Sequence, residues 1–546
     1  MLRRIFVLML ENRSFDHLLG FSGVEGWDPV QNRVRIIDGA DAKQHFNYFN
    51  PLAGTGAKLY VRSPAVDSIA GLEKDPAHEF SDTLLDLCGP NAVVDYQKAQ
   101  KYPGINNSGF LYKYGRQGGH ALERVMEICE PDQIPNIVSL AREYAVCDRW
   151  FSSMPGPTWP NRFFAHAGTS GGLDDSPSNL EVLEAMKFGF GYQFPRGTIY
   201  DALDRKGIDW VIYEGDSYPQ SYAIKGMKQH LKKGRFRDLK YFEDDVRSKQ
   251  FTRRYVFIEP NYGRITDSFK GGNSQHPLDS ISSGEWLIGH IYKALSQSPH
   301  WEESALIVTY DEHGGFYDHV GPPVAVGTGD DTRYSKNHFD FSRYGVRVPT
   351  VIASPLIRKH TDGGKDYGLV DGTLYDHTSI LKTAEVVFGL PSLTERDSAA
   401  NDFTHLFSPH TLTPLIQAMP RFVKTTTVRL ATGIPVSEDL EHDRLARARR
   451  TVGDEARLVE EQRNTEQDVE DGPPHPSVFG FLLVAYLRDL ALNEDQPRLL
   501  EESSRQLVLS TQSTREAARY LRQVRERVQA YKLATQAPGQ MDEPTR

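Results

Sequence analysis

Short apolar runs, each stopped abruptly by a polar cluster, set the rhythm of this 546-residue chain. IFVLML (5–10) ends at Glu11-Asn12, and YAVCDRWF (144–151) leads into the loop SSMPGPTWPNR. DWVIY (209–213) meets Glu214-Gly215, and YVFI (255–258) meets Glu259-Pro260-Asn261. ALIVTY (305–310) runs into DEHGGFYDHV, and VPTVIA (348–353) into Ser354-Pro355. Runs this short and this continuously apolar predict strands buried on both faces. Helical patterns lie between them, QIPNIVSLAREY before the second and SSGEWLIGHIYKALSQS before the fifth. The alternation predicts an α/β fold, with a mostly parallel central sheet between helical layers. In such sheets ligands bind beyond the carboxyl ends of the strands, where these polar clusters would meet.

The C-terminal part has a different texture. Residues 437–472 are dense in charge and close on Pro473-Pro474, which predicts an exposed helix or solvated connector. Farther on, Ala517, Leu521, Val524, Val528 and Tyr531 recur at helical spacing and predict an amphipathic helix. A cap packed on the main body is favoured for it over a partner-binding or membrane-surface helix. The expected division is therefore a catalytic domain over 1–420, a charged connector over 421–475 and a helical region over 476–546. The last residues, QAPGQMDEPTR, read as frayed.

Composition narrows the function classes. Hydrophobic residues make up 39% and charged residues 25%, an ordinary globular balance. A net charge of −10 argues against a general nucleic-acid binder, which needs basic surface. Cys88, Cys129 and Cys147 are too few and too scattered for a disulfide framework. Arg3-Arg4 and the following apolar run resemble a signal peptide, but the run is too short and no small-residue cleavage site follows. The expectation is a cytoplasmic protein, or one exported by a route without a cleaved signal. No window reaches the roughly 18 apolar residues of a transmembrane helix, and VFGFLLVAYL (478–487) is about half that.

The polar clusters carry the candidate chemistry. Glu11, Asn12, Asp311 and Glu312 offer hard oxygen donors and no thiolate, which suits one divalent cation of the Mg²⁺, Ca²⁺ or Mn²⁺ type. A polar pair at a strand end is common on surfaces; two such pairs after core strands bring together three carboxylates, which need a cation or proton to coexist when buried. In GPTWPNR, Pro160 fits a first helical turn and Thr158 falls at or near the N-cap, beside a helix end that favours phosphate. Capping alone explains such a threonine; near a divalent ion it is also a candidate nucleophile. His17, His78, His276, His313 and His319 stand in polar, turn-rich settings where some would supply protons or neutralise a phosphoryl group. Gly314 and Gly315 would let the backbone approach a ligand.

Three of these segments, ENRSFDH (11–17), GPTWPNR (156–162) and DEHGGFYDHV (311–320), occur in an order that resembles the phosphoesterase family of non-specific phospholipases C and related acid phosphatases. DPAHEF (75–80), HPLDSISSGE (276–285) and GVRVPTVIASP (345–355) are similar to the family's secondary motifs, and the resemblance covers about residues 1–410. It implies an alkaline-phosphatase-like fold. It makes Glu11, Asn12, Thr158, Asp311 and Glu312 the metal ligands, Thr158 the nucleophile, and His78, His276 and His313 the lining of the phosphate site. The implied reaction is phospholipase C hydrolysis through a phosphothreonine intermediate, giving diacylglycerol and a phosphorylated head group. The implied partner is a phospholipid or other phosphate ester, with peripheral membrane contact and no nucleic acid. A broad acid phosphatase is the first alternative, and a non-catalytic binding protein on the same fold the second. The C-terminal region does not resemble the paired small β-domains of the larger bacterial enzymes. The aromatic-rich stretch 180–250 is expected to form the pocket rim and hold a choline-like cation, or else to be ordinary packing.

Overall fold

A computed structural model describes residues 1–53, 56–69, 74–187, 191–266, 269–329, 334–407, 474–492, 508 and 511–535. The charged stretch 437–472 and the terminal QAPGQMDEPTR lie outside these residues.

Ten strands form the main sheet: β1 (Arg4–Leu10), β2 (Glu25–Asp28), β3 (Arg33–Ile36), β4 (Ala145–Cys147), β5 (Trp210–Glu214), β6 (Phe236–Asp238), β7 (Tyr255–Glu259), β8 (Ser304–Tyr310), β9 (Val351–Ala353) and β10 (Leu369–Asp371). Their spatial order is β3-β2-β10-β4-β9-β8-β1-β7-β5-β6. All six apolar runs of the sequence fall in this sheet. Its centre, β8-β1-β7-β5, is parallel throughout. The strand β9 runs antiparallel to both neighbours, β8 and β4. Periodicity cannot reveal that reversal, because a short fully buried run has the same composition in either direction.

The central strands are where burial is greatest. From Ile5 to Leu10 every side chain is fully buried, each apolar one contributing about 1.5–3 kcal/mol relative to exposure. Helices cover the sheet, among them α1 (Thr158–Ala167), α2 (Ile281–Ser296), α3 (Thr378–Phe388), α4 (Pro476–Leu492) and α5 (Thr514–Thr535). The amphipathic pattern of α5 is realised, with Ala517, Leu521, Val524 and Val528 buried. Helix α4 is buried nearly all round, from Val478 to Ala491. Such a helix belongs to a core rather than to a surface, and α4 and α5 join the same apolar core as the central strands. Cys88, Cys129 and Cys147 are free thiols. No helix among the described residues is long and apolar enough to cross a membrane.

Candidate active site

The parallel pairing of β1 with β8 builds the site. Leu10 lies opposite Tyr310, so the residues after them, Glu11-Asn12 and Asp311-Glu312, leave the sheet side by side. All four are buried. Asn12 takes a left-handed backbone (φ 57°), which asparagine tolerates better than most residues. That turn points its N–H at Asp311 Oδ1, 3.0 Å away. Gly314 is needed for the same approach: its φ is +64°, and a Cβ there would stand 2.2 Å from the Asn12 carbonyl oxygen.

Thr158 arrives from the far side. It is the first residue of α1, with Pro157 at the cap position, so its hydroxyl is not spent on capping. Instead Oγ1 donates to Asn12 Oδ1 at 3.2 Å. One turn later on α1, Arg162 donates from Nε to Asp311 Oδ2 at 2.8 Å and from Nη2 to the carbonyls of Met9 and Leu10. Sequence reasoning alone misses Arg162, although its spacing of four from Thr158 puts both on one helix face.

Charge in this cluster is not balanced by the protein alone. Burial, with the Asp311 charge added, lifts the carboxyls of Glu11 and Glu312 well above the ordinary 4.5, and Arg162 only partly offsets this at Glu11. One oxygen of each, Glu11 Oε2 and Glu312 Oε1, is buried without a hydrogen-bond partner. Asp311 differs: Oδ1 accepts from the N–H groups of Asn12 and Glu312, and Oδ2 from Arg162. Gln220 reaches the remaining Glu11 oxygen at 3.3 Å.

Two of the three expected site histidines come to the pocket. His78 is fixed by its Nδ1 on the Pro76 carbonyl at 2.7 Å, and its Nε2 sits 3.2 Å from the Asn12 amide and 3.5 Å from Glu312 Oε1. His276 presents Nε2 to Asp75 Oδ2 at 3.3 Å, and its ring lies 6.4 Å from that of His78. Burial drives both below the usual imidazole range, His78 to about 3. His313 does not line the pocket. It stands behind Glu312, between that carboxylate (3.2 Å) and Asp86 (3.5 Å).

His17 and His319 lie outside the pocket. His17 stacks on Phe316 and bonds Arg13. His319 joins Asp16, Asp38 and Arg347 in a knot that pins the Gly-rich loop. Burial opposes its protonation, but hydrogen bonds to Asp16 and Asp38 prevail and raise it to about 10. A raised histidine stabilises fully below its unfolded value near 6.5 and loses that contribution as pH climbs through the folded value. Urea titrations should therefore show stability declining between about pH 6.5 and 10, a decline that His319→Gln flattens.

The pocket above Thr158 is narrow, with about 10 Å³ of free space, enough for one water. Its walls include Glu79, Trp159, Ser176 and Phe269, together with His475, Ser477 and Phe481 from the C-terminal part. The expected rim from 180–250 is mostly absent. Tyr192, Tyr200, Tyr213, Tyr218 and Tyr222 are buried in the core, and Tyr222 faces the Arg488 guanidinium rather than open space. From that stretch Gln220 alone lines this pocket among the described residues; residues 188–190 are not described.

A sequence model of the phosphoesterase family matches residues 2–391, a span that takes in Glu11, Asn12, Thr158, Asp311 and Glu312. The chain belongs to the phosphoesterase family. This phosphoesterase is 34% identical to non-specific phospholipase C6 of Arabidopsis thaliana over 76% of its own length and 74% of that protein. It is 33% identical to non-specific phospholipase C1 of the same plant, over 74% and 71% of the two chains. The non-hemolytic phospholipase C of Burkholderia pseudomallei is 27% identical over 74% of the phosphoesterase and 58% of the bacterial chain. Among solved structures, an alkaline phosphatase superfamily protein from Vibrio parahaemolyticus is 13% identical. It covers 53% of this chain and 66% of its own, with a TM-score of 0.31, a likeness too distant to decide anything.

Proposed function

We propose that this phosphoesterase is a phospholipase C that cleaves glycerophospholipids by transferring the phosphoryl group to Thr158. The observation that carries the reading is the hydroxyl of Thr158, uncapped and 3.2 Å from Asn12, beside buried carboxylates with unpartnered oxygens. The phospholipases C it resembles supply the substrate class.

The donor set fits one divalent cation. Glu11, Glu312 and Asn12 would hold it with Thr158, and Asp311 retains a lone pair on Oδ2 after bonding Arg162. Such an ion would neutralise the carboxylates and lower the pKa of the neighbouring hydroxyl. The chain's own residues do the rest. Asn12 orients Thr158, and the N-terminus of α1 places a positive helix end at the site. His78 and His276 flank the space where phosphoryl oxygens would lie. Thr158 attacks phosphorus, the alcohol departs, and water later hydrolyses the phosphothreonine. Positioning and electrostatics supply most of the acceleration in such transfers.

A panel of phospholipids and phosphomonoesters, assayed with and without chelator, tests this. Diacylglycerol release that chelator abolishes and a divalent salt restores is the expected result. Phosphate release from monoesters, without diacylglycerol from any lipid, would make the protein an acid phosphatase. Full turnover after exhaustive chelation would remove the cation from the scheme.

A further inference from the structure

One wall of the pocket lies outside the family match. His475, Ser477 and Phe481 line it with Asn12, Thr158 and His276, yet all three come after residue 391, where the match ends. Packing holds them there. Trp159, the neighbour of Thr158, donates its indole N–H to the Ser477 carbonyl at 3.1 Å. Gly480 lies so close that a Cβ would stand 2.2 Å from the same indole. Phe481 meets that ring edge-on, with centroids 5.2 Å apart. Deeper along α4, the guanidinium of Arg488 is fully buried against Glu214.

The nitrogen atoms of the pocket histidines are not equally available. His78 is committed at both nitrogens, to the Pro76 carbonyl and the Asn12 amide. His276 turns Nε2 toward Asp75, and its Nδ1 is buried without a hydrogen-bond partner. His475 is exposed. Its Nδ1 lies 2.7 Å from the Ser477 hydroxyl and 3.3 Å from the Ser477 backbone nitrogen. With the Ser477 hydroxyl accepting from Nδ1–H, the neutral ring carries its lone pair on Nε2, for which the described residues provide no partner. The same bond from Nδ1–H to the hydroxyl serves the cationic ring, and the Ser477 N–H then gives up its 3.3 Å contact with Nδ1. Thr158 is buried, whereas His475 stands at the solvent-facing edge of the same pocket. In-line displacement puts the leaving oxygen opposite the nucleophile, in the pocket that Thr158 and His475 both line.

We propose that His475 is the general acid–base residue of the phosphoryl transfer, supplied by the C-terminal segment. The proposal rests on the phosphoesterase reading above. In the first step the Thr158 Oγ–P bond forms as the bond from phosphorus to the alcohol oxygen breaks. The released electron pair stays on that oxygen, which takes the proton from Nε2 of the His475 imidazolium; the proton of Thr158 passes to water. In the second step a water oxygen bonds phosphorus and gives its proton to His475 Nε2. The electron pair of the Oγ–P bond returns to Thr158, which regains a proton from solvent.

Leaving-group dependence tests the assignment. Dioctanoyl phosphatidylcholine has an alkyl leaving oxygen that needs a proton, whereas nitrophenolate leaves p-nitrophenyl phosphorylcholine without one. His475→Gln should lose about a hundredfold to ten-thousandfold in kcat on the lipid and far less on the nitrophenyl ester. Ser477→Ala should show the same bias, weaker. Equal losses on both substrates, or no loss on either, would overturn the role of His475 while leaving the phosphoesterase standing. A wild-type protein that cleaves the nitrophenyl ester but no lipid overturns it too, since no alkyl leaving group is then served. Wild type inactive on both would instead sink the phosphoesterase reading. His475 is exposed and Ser477 half-buried, so an unchanged melting temperature is expected and separates lost chemistry from lost folding.

Discussion

Thr158→Ala should reduce phospholipid turnover by at least about a thousandfold, because a covalent route has no substitute for its nucleophile. The fold should be nearly untouched. Thr158 begins α1 without capping it, and its hydroxyl makes one hydrogen bond, to Asn12, whose loss costs about 1 kcal/mol. Thr158→Ser keeps the oxygen and should retain a measurable fraction of activity, which a purely structural threonine would not require. Quenched-flow labelling with a phosphorus-labelled phospholipid should trap the phosphorylated head group on the wild-type protein and none on the alanine variant. Wild-type-like turnover by Thr158→Ala would end the covalent scheme.

The second large effect falls on stability. Arg162 is buried against Asp311 and holds the end of β1 through two carbonyls. Arg162→Met should cost about 3–5 kcal/mol, the usual penalty for leaving a buried charge without its partner. Here the penalty is sharpened by Glu11 and Glu312, which crowd the same carboxylate. A divalent cation should recover part of the loss by taking over the neutralising role. Urea denaturation of the variant, with chelator and with excess Mg²⁺ or Ca²⁺, measures both. A variant as stable as wild type under chelation would show that Arg162 is not what holds the carboxylates together.

Much of the site was legible because the chemistry sits where strands stop. The runs ending at Leu10 and Tyr310 are adjacent and parallel, so their next residues had to meet. The sequence could not say which way β9 runs, and the antiparallel placement came only with the sheet. Arg162 was hidden because its partner, Asp311, is distant in the chain and nothing local marks the pairing. Tyrosines in 180–250 pack inward, and composition does not separate a buried aromatic from a rim aromatic. The apolar run 478–487 showed a helix-sized greasy segment, but not its docking site against Trp159. A pocket wall built from that docking has no motif to announce it.

The central place of β1 has a consequence for synthesis. Its ladders are completed only by Tyr255–Ile258 and Ser304–Tyr310. At ribosomal speeds of about 5–20 residues per second, the first strand waits roughly 15–60 s for its last neighbour. Throughout that interval a greasy hexapeptide with two bare edges is on offer to other nascent chains. Recruitment of a holdase to the young polypeptide, and inclusion bodies when expression outruns it, are the expected results of setting β1 at the middle of the sheet.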